Sequence, residues 1–313
     1  MYTIAVMFKL KLMNMTKNQH TQSAGRYANI LYDDAFKVVV CAPGNEELVK
    51  HIIELLIPTK RIKTLTMQRT EQHGLSIYDK NSTFDVLCES EKGEQFIVEM
   101  QYTEQRNFAD RMLCYASFPI RLQMAQKVAD AQQNPGKKMD YTLLPIYVVS
   151  IVNFTLKHES DNALEGGFIS RYDLRNPHNA ELMTDALHFV NFELGRLKVK
   201  ADEPKQCKTL LEKFAWSVMH MDMQNDRPDG FDDPLLEQLY NAAEFANMTV
   251  EHQQQYEQVM RTIIDERAIL DFETDKARQQ ERIVIAKQML ADSVPPETVA
   301  KYTGLSVEEV AKL

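Results

Sequence analysis

The sequence is poor in the residues that mark several protein classes. It has four cysteines in 313 residues, and no two form a Cys-x-x-Cys pair. Cys41, Cys88, Cys114 and Cys207 therefore read as buried free thiols of a reducing compartment, neither a disulfide framework nor a metal knuckle. None of the eight histidines is spaced His-x-x-x-His or His-x-x-Glu-His, which disfavours a zinc enzyme. Ten glycines and eleven prolines are too few for long disordered linkers or a many-turned all-β fold. No apolar run approaches the roughly 18 residues that span a bilayer, so no membrane partner is expected. Met1 to Met15 is mildly apolar, but Lys9 and Lys11 interrupt it and no small-residue cleavage site follows. A signal peptide is not expected there and a cytoplasmic location is. Residues 1–24 read as a disordered N-terminal extension, with Met13 and Met15 as alternative starts.

What is present is an ordinary globular composition, 44% apolar and 26% charged, with a net charge of −9. The charge argues against a uniformly basic nucleic-acid coat. It leaves room for a nuclease, because metal-holding acids add to the negative count and bases can be focused locally.

Residues 25–57 read as helical. Asp33 or Asp34 is placed to cap a helix carrying Phe36, Val39 and Val40. A second helix with Leu48, Ile52, Ile53, Leu55 and Leu56 follows the Pro43-Gly44-Asn45 break and stops at Pro58. Three alternating segments follow, 62–68, 83–88 and 96–101. Residues 104–133 read as a long helix weakly broken at Pro119. Leu144 to Phe154 is a nearly continuous apolar run, the pattern of a central strand buried on both faces. A further strand is expected over Ala186 to Leu194. Beyond residue 200 the pattern is wholly helical, over 205–223, 234–246 and 249–290 and then a short final pair.

The hairpin between the second and third strands carries the chemistry. A loop Glu91-Lys92-Gly93, with Gly93 left-handed, pairs Ser90 with Glu94. In that register Asp85 faces Glu99, Phe84 faces Met100, Val86 faces Val98 and Cys88 faces Phe96. One face is then apolar, and the other carries Asp85, Glu99 and Gln101. A two-residue turn at Lys92-Gly93 would set Asp85 against Met100 and invert this pattern. Two carboxylates directly opposite each other repel unless something neutralises them. Mg²⁺ prefers oxygen ligands and keeps waters, one of which can become an attacking hydroxide. Gln101 could hold that water or a phosphate oxygen. The plain alternative is a solvated acidic strand face.

Phe84-Asp85-Val86 followed by Phe96-Ile97-Val98-Glu99-Met100-Gln101 resembles the PD-(D/E)XK nucleases, and in particular the recombination-promoting nuclease (Rpn) group, also called PD-(D/E)XK family transposases. Asp33 to Lys37, Phe108 to Tyr115 with Arg111, Leu144 to Ile151, Leu182 to Asp185, and the tail from Ile285 follow in the same order. The resemblance implies a restriction-endonuclease-like α/β core, a mixed sheet flanked by helices in the order αβββαβ, followed by an all-helical C-terminal region. The expected divisions are 25–200 for the core, 201–290 for a helical region and 291–313 for a helix-turn-helix-like tail. It implies Asp85 and Glu99 as ligands of Mg²⁺, with Mn²⁺ able to substitute, Asp33 as an extra acidic position, and Gln101 where many relatives have lysine. The proline before the aspartate is also replaced, by Phe84.

Lys37, Arg111 and Gln123 are DNA-contact candidates, each with surface solvation as its alternative. Tyr115 shares a helix face with Arg111 and reads as core. In the tail, Gly304 ends one helix, and Ser306 caps the next with Glu309 completing a capping box. Lys287, Lys301 and Lys312 give that tail little positive charge for DNA, so packing or dimerisation stands beside DNA contact as its role. Two functions stay open. One is a metal-dependent DNA endonuclease associated with recombination or mobile elements. The other is a catalytically weakened nuclease fold that binds DNA or oligomerises through its C-terminal helices.

Overall fold

The computed structural model describes residues 25–68, 85–134, 138–160 and 164–313. The expectations for residues 1–24, Thr83 and Phe84 lie outside these. Two short helices open the described chain, α1 (Asp33–Val39) and α2 (Glu46–Leu56). The residues before Asp33 are not helical. Neither Asp33 nor Asp34 caps α1, since its N-cap is Tyr32 and the cap has no side-chain hydrogen bond.

Strands β1 (Leu65–Gln68), β2 (Val86–Ser90) and β3 (Gln95–Gln101) form an antiparallel meander. Helix α3 (Phe108–Gln133) then leads to β4 (Ile146–Val152), β5 (Ile169–Asp173) and β6 (Leu187–Glu193). The six-stranded sheet has the order β1-β2-β3-β4-β6-β5. β3, β4 and β6 run parallel, and β5 closes the edge antiparallel to β6. All seven residues of β4 are buried, as expected of a strand covered on both faces. The edge strand β5 escapes the sequence reading because it is short, and Arg171 and Asp173 break any apolar pattern. Helix α3 passes through Pro119 without a break.

The β2–β3 hairpin has the expected register. Val86 pairs with Val98 and Cys88 with Phe96. The Ser90 N–H donates to the Glu94 carbonyl at 2.9 Å and the Gly93 N–H to the Ser90 carbonyl at 2.9 Å. Gly93 has φ +77°, a conformation that costs glycine little and side-chain-bearing residues more.

The acidic face of this hairpin is not solvated. Leu87 and Ile97 lie on it, and α3 covers them with Met112, Tyr115, Phe118 and Leu122. Every residue of β3 is buried, Glu99 to 4% exposure and Gln101 to 1%. The plain alternative of a solvated strand face therefore does not apply.

Helices α4 (Leu210–His220) and α5 (Pro234–Ala243) are all-α, as expected after residue 200. They do not form a region of their own. Phe214 lies 5.8 Å from Phe192, centroid to centroid, and α5 packs on α2. Trp216 is fully buried, with its indole N–H on the Lys200 carbonyl at 2.9 Å. The first compact unit thus extends to Tyr256 rather than to residue 200. The thiols are free but not uniformly buried, since Cys88 and Cys207 are buried, Cys41 is partly exposed and Cys114 is exposed.

The second unit, 257–313, holds most of the long helix α6 (Val250–Ala291) and two short helices, α7 (Pro296–Thr303) and α8 (Val307–Val310). Gly304 ends α7 at φ +71°. Ser306 Oγ accepts from the Glu309 N–H, and the Glu309 carboxylate accepts from the Ser306 N–H, which completes the expected capping box. Ala286, Val299, Leu305 and Val310 form the small core beneath these turns. No described helix is long and apolar enough to cross a membrane.

Candidate active site

The end of β3 gathers three carboxylates from three elements. Asp85 lies just before β2 and its Oδ2 accepts the Met100 N–H at 2.7 Å. Glu99 lies opposite, and its Oε2 accepts the Asp85 N–H at 3.3 Å. Each acid thus uses one oxygen on the other's strand. Asp33, in the first turn of α1, reaches across instead of capping its helix. Its Oδ1 accepts the Tyr102 N–H at 2.7 Å and its Oδ2 accepts the Gln101 amide at 3.1 Å.

Gln101 is therefore held at one end only. Its Nε2 is on Asp33, and its Oε1 is buried with no hydrogen-bond partner among the described residues. An unpaired buried carbonyl costs about 1–3 kcal/mol. Such an oxygen suits a ligand that donates hydrogen bonds or carries positive charge.

Burial raises all three acids. It pushes Glu99 up to about 8, against the pull of the Asp85 N–H and the Arg111 charge. It holds Asp85 well above the usual carboxylate range, with the Glu99 charge adding to the rise. It also raises Asp33, opposed by the Tyr102 N–H. A group of acids that is costly to ionise without added positive charge is what a cation site requires. Among the described residues, no three His, Cys, Asp or Glu side chains converge as a ready-made ligand cluster. Mg²⁺ does not need one, because it is commonly held by one or two carboxylates and completes its shell with water. Asp85 and Glu99, hard oxygen donors beside the unpaired Gln101 Oε1, fit that ion. Asp33 has both oxygens engaged and is placed to orient Gln101.

The other candidates separate. Arg111 turns toward the acids. Its guanidinium lies 3.7 Å from Glu99 Oε1 and donates to the Tyr115 hydroxyl and to Gln105 Oε1. Tyr115 is buried at 7% exposure, yet its hydroxyl is engaged with Arg111 and Glu99. Lys37 stands one turn after Asp33, partly buried, and its charge acts on Asp85. Gln123 is withdrawn from any surface role. It is 5% exposed, its amide donates to Gln95 Oε1 and the Leu144 carbonyl, and its Oε1 accepts the Leu144 N–H at 2.8 Å. It holds the segment entering β4 against α3. The sequence pointed to Asp85, Glu99 and Gln101 by register but missed the Arg111–Tyr115 pair on Glu99. The i, i+4 spacing of the two was the one available signal.

Comparison with known proteins adds the following. A family model described as PD-(D/E)XK nuclease family transposase matches residues 30–273. A second, described as the C-terminal HTH domain of the Rpn/YhgA-like nuclease family, matches residues 279–313. No curated protein and no solved structure matches the chain.

Proposed function

Because the chain belongs to the PD-(D/E)XK nuclease family of transposases, we propose that it is a Mg²⁺-dependent endodeoxyribonuclease acting in recombination or mobile-element movement, with Mn²⁺ able to replace Mg²⁺. The unpartnered Gln101 Oε1 beside the partly buried Asp85 and the buried Glu99 is the observation that carries this reading. Asp85 and Glu99 hold the ion. When bound, the ion supplies Lewis-acid stabilisation of phosphate charge and a water of lowered pKa. Gln101, braced by Asp33, orients the attacking water through its free oxygen. The β3 backbone and α3 exclude bulk water, which strengthens electrostatic interactions at the site. Lys37 and Arg111 are the DNA-contact candidates. The C-terminal helix-turn-helix is a second DNA contact, and the C-terminal helices are the proposed route to a homo-oligomer.

A plasmid assay tests the reading. Supercoiled DNA should be nicked or linearised with Mg²⁺ or Mn²⁺ and left intact with chelator. If no divalent ion supports cleavage and none raises the melting temperature, the nuclease reading fails. The alternative, a nuclease fold retained for binding or oligomerisation, is favoured by the missing lysine at position 101 and then stands. Within the same assay, Gln101→Ala should slow cleavage by about 10–100-fold, the usual effect of losing a group that orients a metal site. Gln101→Lys should retain or raise activity, because its ammonium would meet the Asp33 carboxylate and bring the cation the family motif uses.

The raised acids also set a pH dependence. A carboxylate must lose its proton to bind metal, so binding releases protons. Mn²⁺ affinity should therefore rise with pH through the range around pH 8 in which Glu99 loses its proton in the free protein. Calorimetric titrations in buffers of different ionisation enthalpy would check this. An affinity flat between pH 6 and 8 would show that Glu99 does not titrate with binding.

A further inference from the structure

Arg111 occupies an unusual place for a cation. It lies in the first turn of α3, next to the positive end of the helix dipole, where a positive side chain is disfavoured. Among the described residues it is nonetheless the basic side chain within ion-pair distance of Asp33, Asp85 or Glu99. Its contact to Glu99 is loose. At 3.7 Å it is an ion pair without a direct hydrogen bond. The guanidinium is positioned by two neutral acceptors, Tyr115 and Gln105. It is 30% exposed where Glu99 is 5%, so it stands between the acids and solvent.

We propose that Arg111 is a metal-released phosphate clamp: it shields Glu99 in the metal-free protein, and when a divalent cation takes that carboxylate it turns to a phosphate of the bound DNA strand. This rests on the nuclease reading above and deepens it, by placing on α3 the positive charge that position 101 lacks. A single guanidinium acting on Glu99 and Asp33 leaves room for a second cation. Once that cation is bound, the attraction of Glu99 for Arg111 is largely cancelled. The freed guanidinium, already near solvent and with a fork geometry suited to phosphate, needs only a side-chain rotation.

Two readouts other than cleavage test this. In the absence of DNA and at about pH 9, where both partners are charged, Arg111→Ala should bind Ca²⁺ about fivefold more tightly than wild type. That is the fold-change for roughly 1 kcal/mol of a partly exposed ion pair no longer competing for Glu99. In the presence of Ca²⁺, with the duplex checked to be intact, anisotropy titrations against salt should show one phosphate contact fewer. The slope of log K against log[salt] should be shallower by about 0.9 in Arg111→Ala. Without metal, the two slopes should coincide. Arg111→Lys should keep the wild-type slope. Arg111→Met, which keeps an unbranched apolar side chain on α3, serves for both measurements should the alanine variant not fold. Weaker Ca²⁺ binding in the variants, or slopes that match wild type in Ca²⁺, would overturn the clamp and leave Arg111 a brace for Tyr115. A wild-type protein that binds no Ca²⁺ at all would sink the nuclease reading instead, so the two failures are distinguishable.

Discussion

Replacing Asp85 by Asn or Glu99 by Gln is expected to abolish metal-dependent DNA cleavage while making the metal-free protein more stable. The loss follows from the ligand role. Removing one of the two carboxylates proposed to hold the ion should forfeit on the order of 4 kcal/mol of transition-state stabilisation, about 10³-fold in rate at 1.36 kcal/mol per decade. The gain follows from burial. Glu99 is 4% exposed and rises to about 8, so in the metal-free folded protein it keeps its proton far above the roughly 4.3 of an unfolded chain. Between those two values the folded state binds more protons than the unfolded one. Stability therefore falls as pH rises through that window, and above pH 8 the full cost of the buried charge is felt. Glu99→Gln removes that slope, and its oxygen can still accept the Asp85 N–H. Asp85→Asn likewise keeps an acceptor for the Met100 N–H. Melting curves from pH 5 to 9 in chelator should show wild type losing ground to both variants as pH rises. An Asp85→Asn protein that cuts plasmid at the wild-type rate would remove the assigned site.

A second large effect is expected far from the acids in sequence. Glu193, at the end of β6, is fully buried and bonds two side chains at once. His158 Nε2 lies 2.5 Å from its Oε1, and Arg196 Nε donates to its Oε2 at 2.7 Å. The Leu156 N–H adds a third bond at 2.9 Å. Glu193→Ala would remove a buried carboxylate from the largely buried Arg196 guanidinium and from the His158 imidazole, at a cost of about 3–5 kcal/mol. Urea denaturation should show this as a lower midpoint. Glu193→Gln, which can still accept from Leu156, should cost less. The cluster fixes the loop after β4, and that loop begins where the Asn153 N–H meets the Gln101 carbonyl at 2.9 Å. Loosening it should therefore also weaken Mn²⁺ binding. Unchanged metal affinity in a folded Glu193→Gln protein would uncouple the loop from the site.

The local features of this protein were legible in its sequence. The hairpin register followed from a three-residue turn with a glycine able to take φ +77°, and from the alternation of Val86, Cys88, Phe96 and Val98, all of which a one-residue slip would move to the face that carries Asp85 and Glu99. The capping box at Ser306 and the glycine stop at Gly304 span a few residues each and could be read directly. The run from Ile146 to Val152 declared a central strand because no polar face interrupts it except Ser150. The tertiary structure alone decided the environment of the acids. Helix α3 carries an apolar stripe at Phe108, Met112, Tyr115 and Leu122, but its sequence does not show that this stripe lies over the acidic face of the hairpin. That packing turned an acidic strand face into a buried one. It withdrew Gln123 from the surface and brought Arg111 and Tyr115 to Glu99. Asp33 meets Gln101 across 68 positions of chain, a contact no local pattern encodes. Register and caps are set by backbone geometry over a few residues. The electrostatics of the site are set by which distant helix excludes water from it, and that depends on how the whole chain packs.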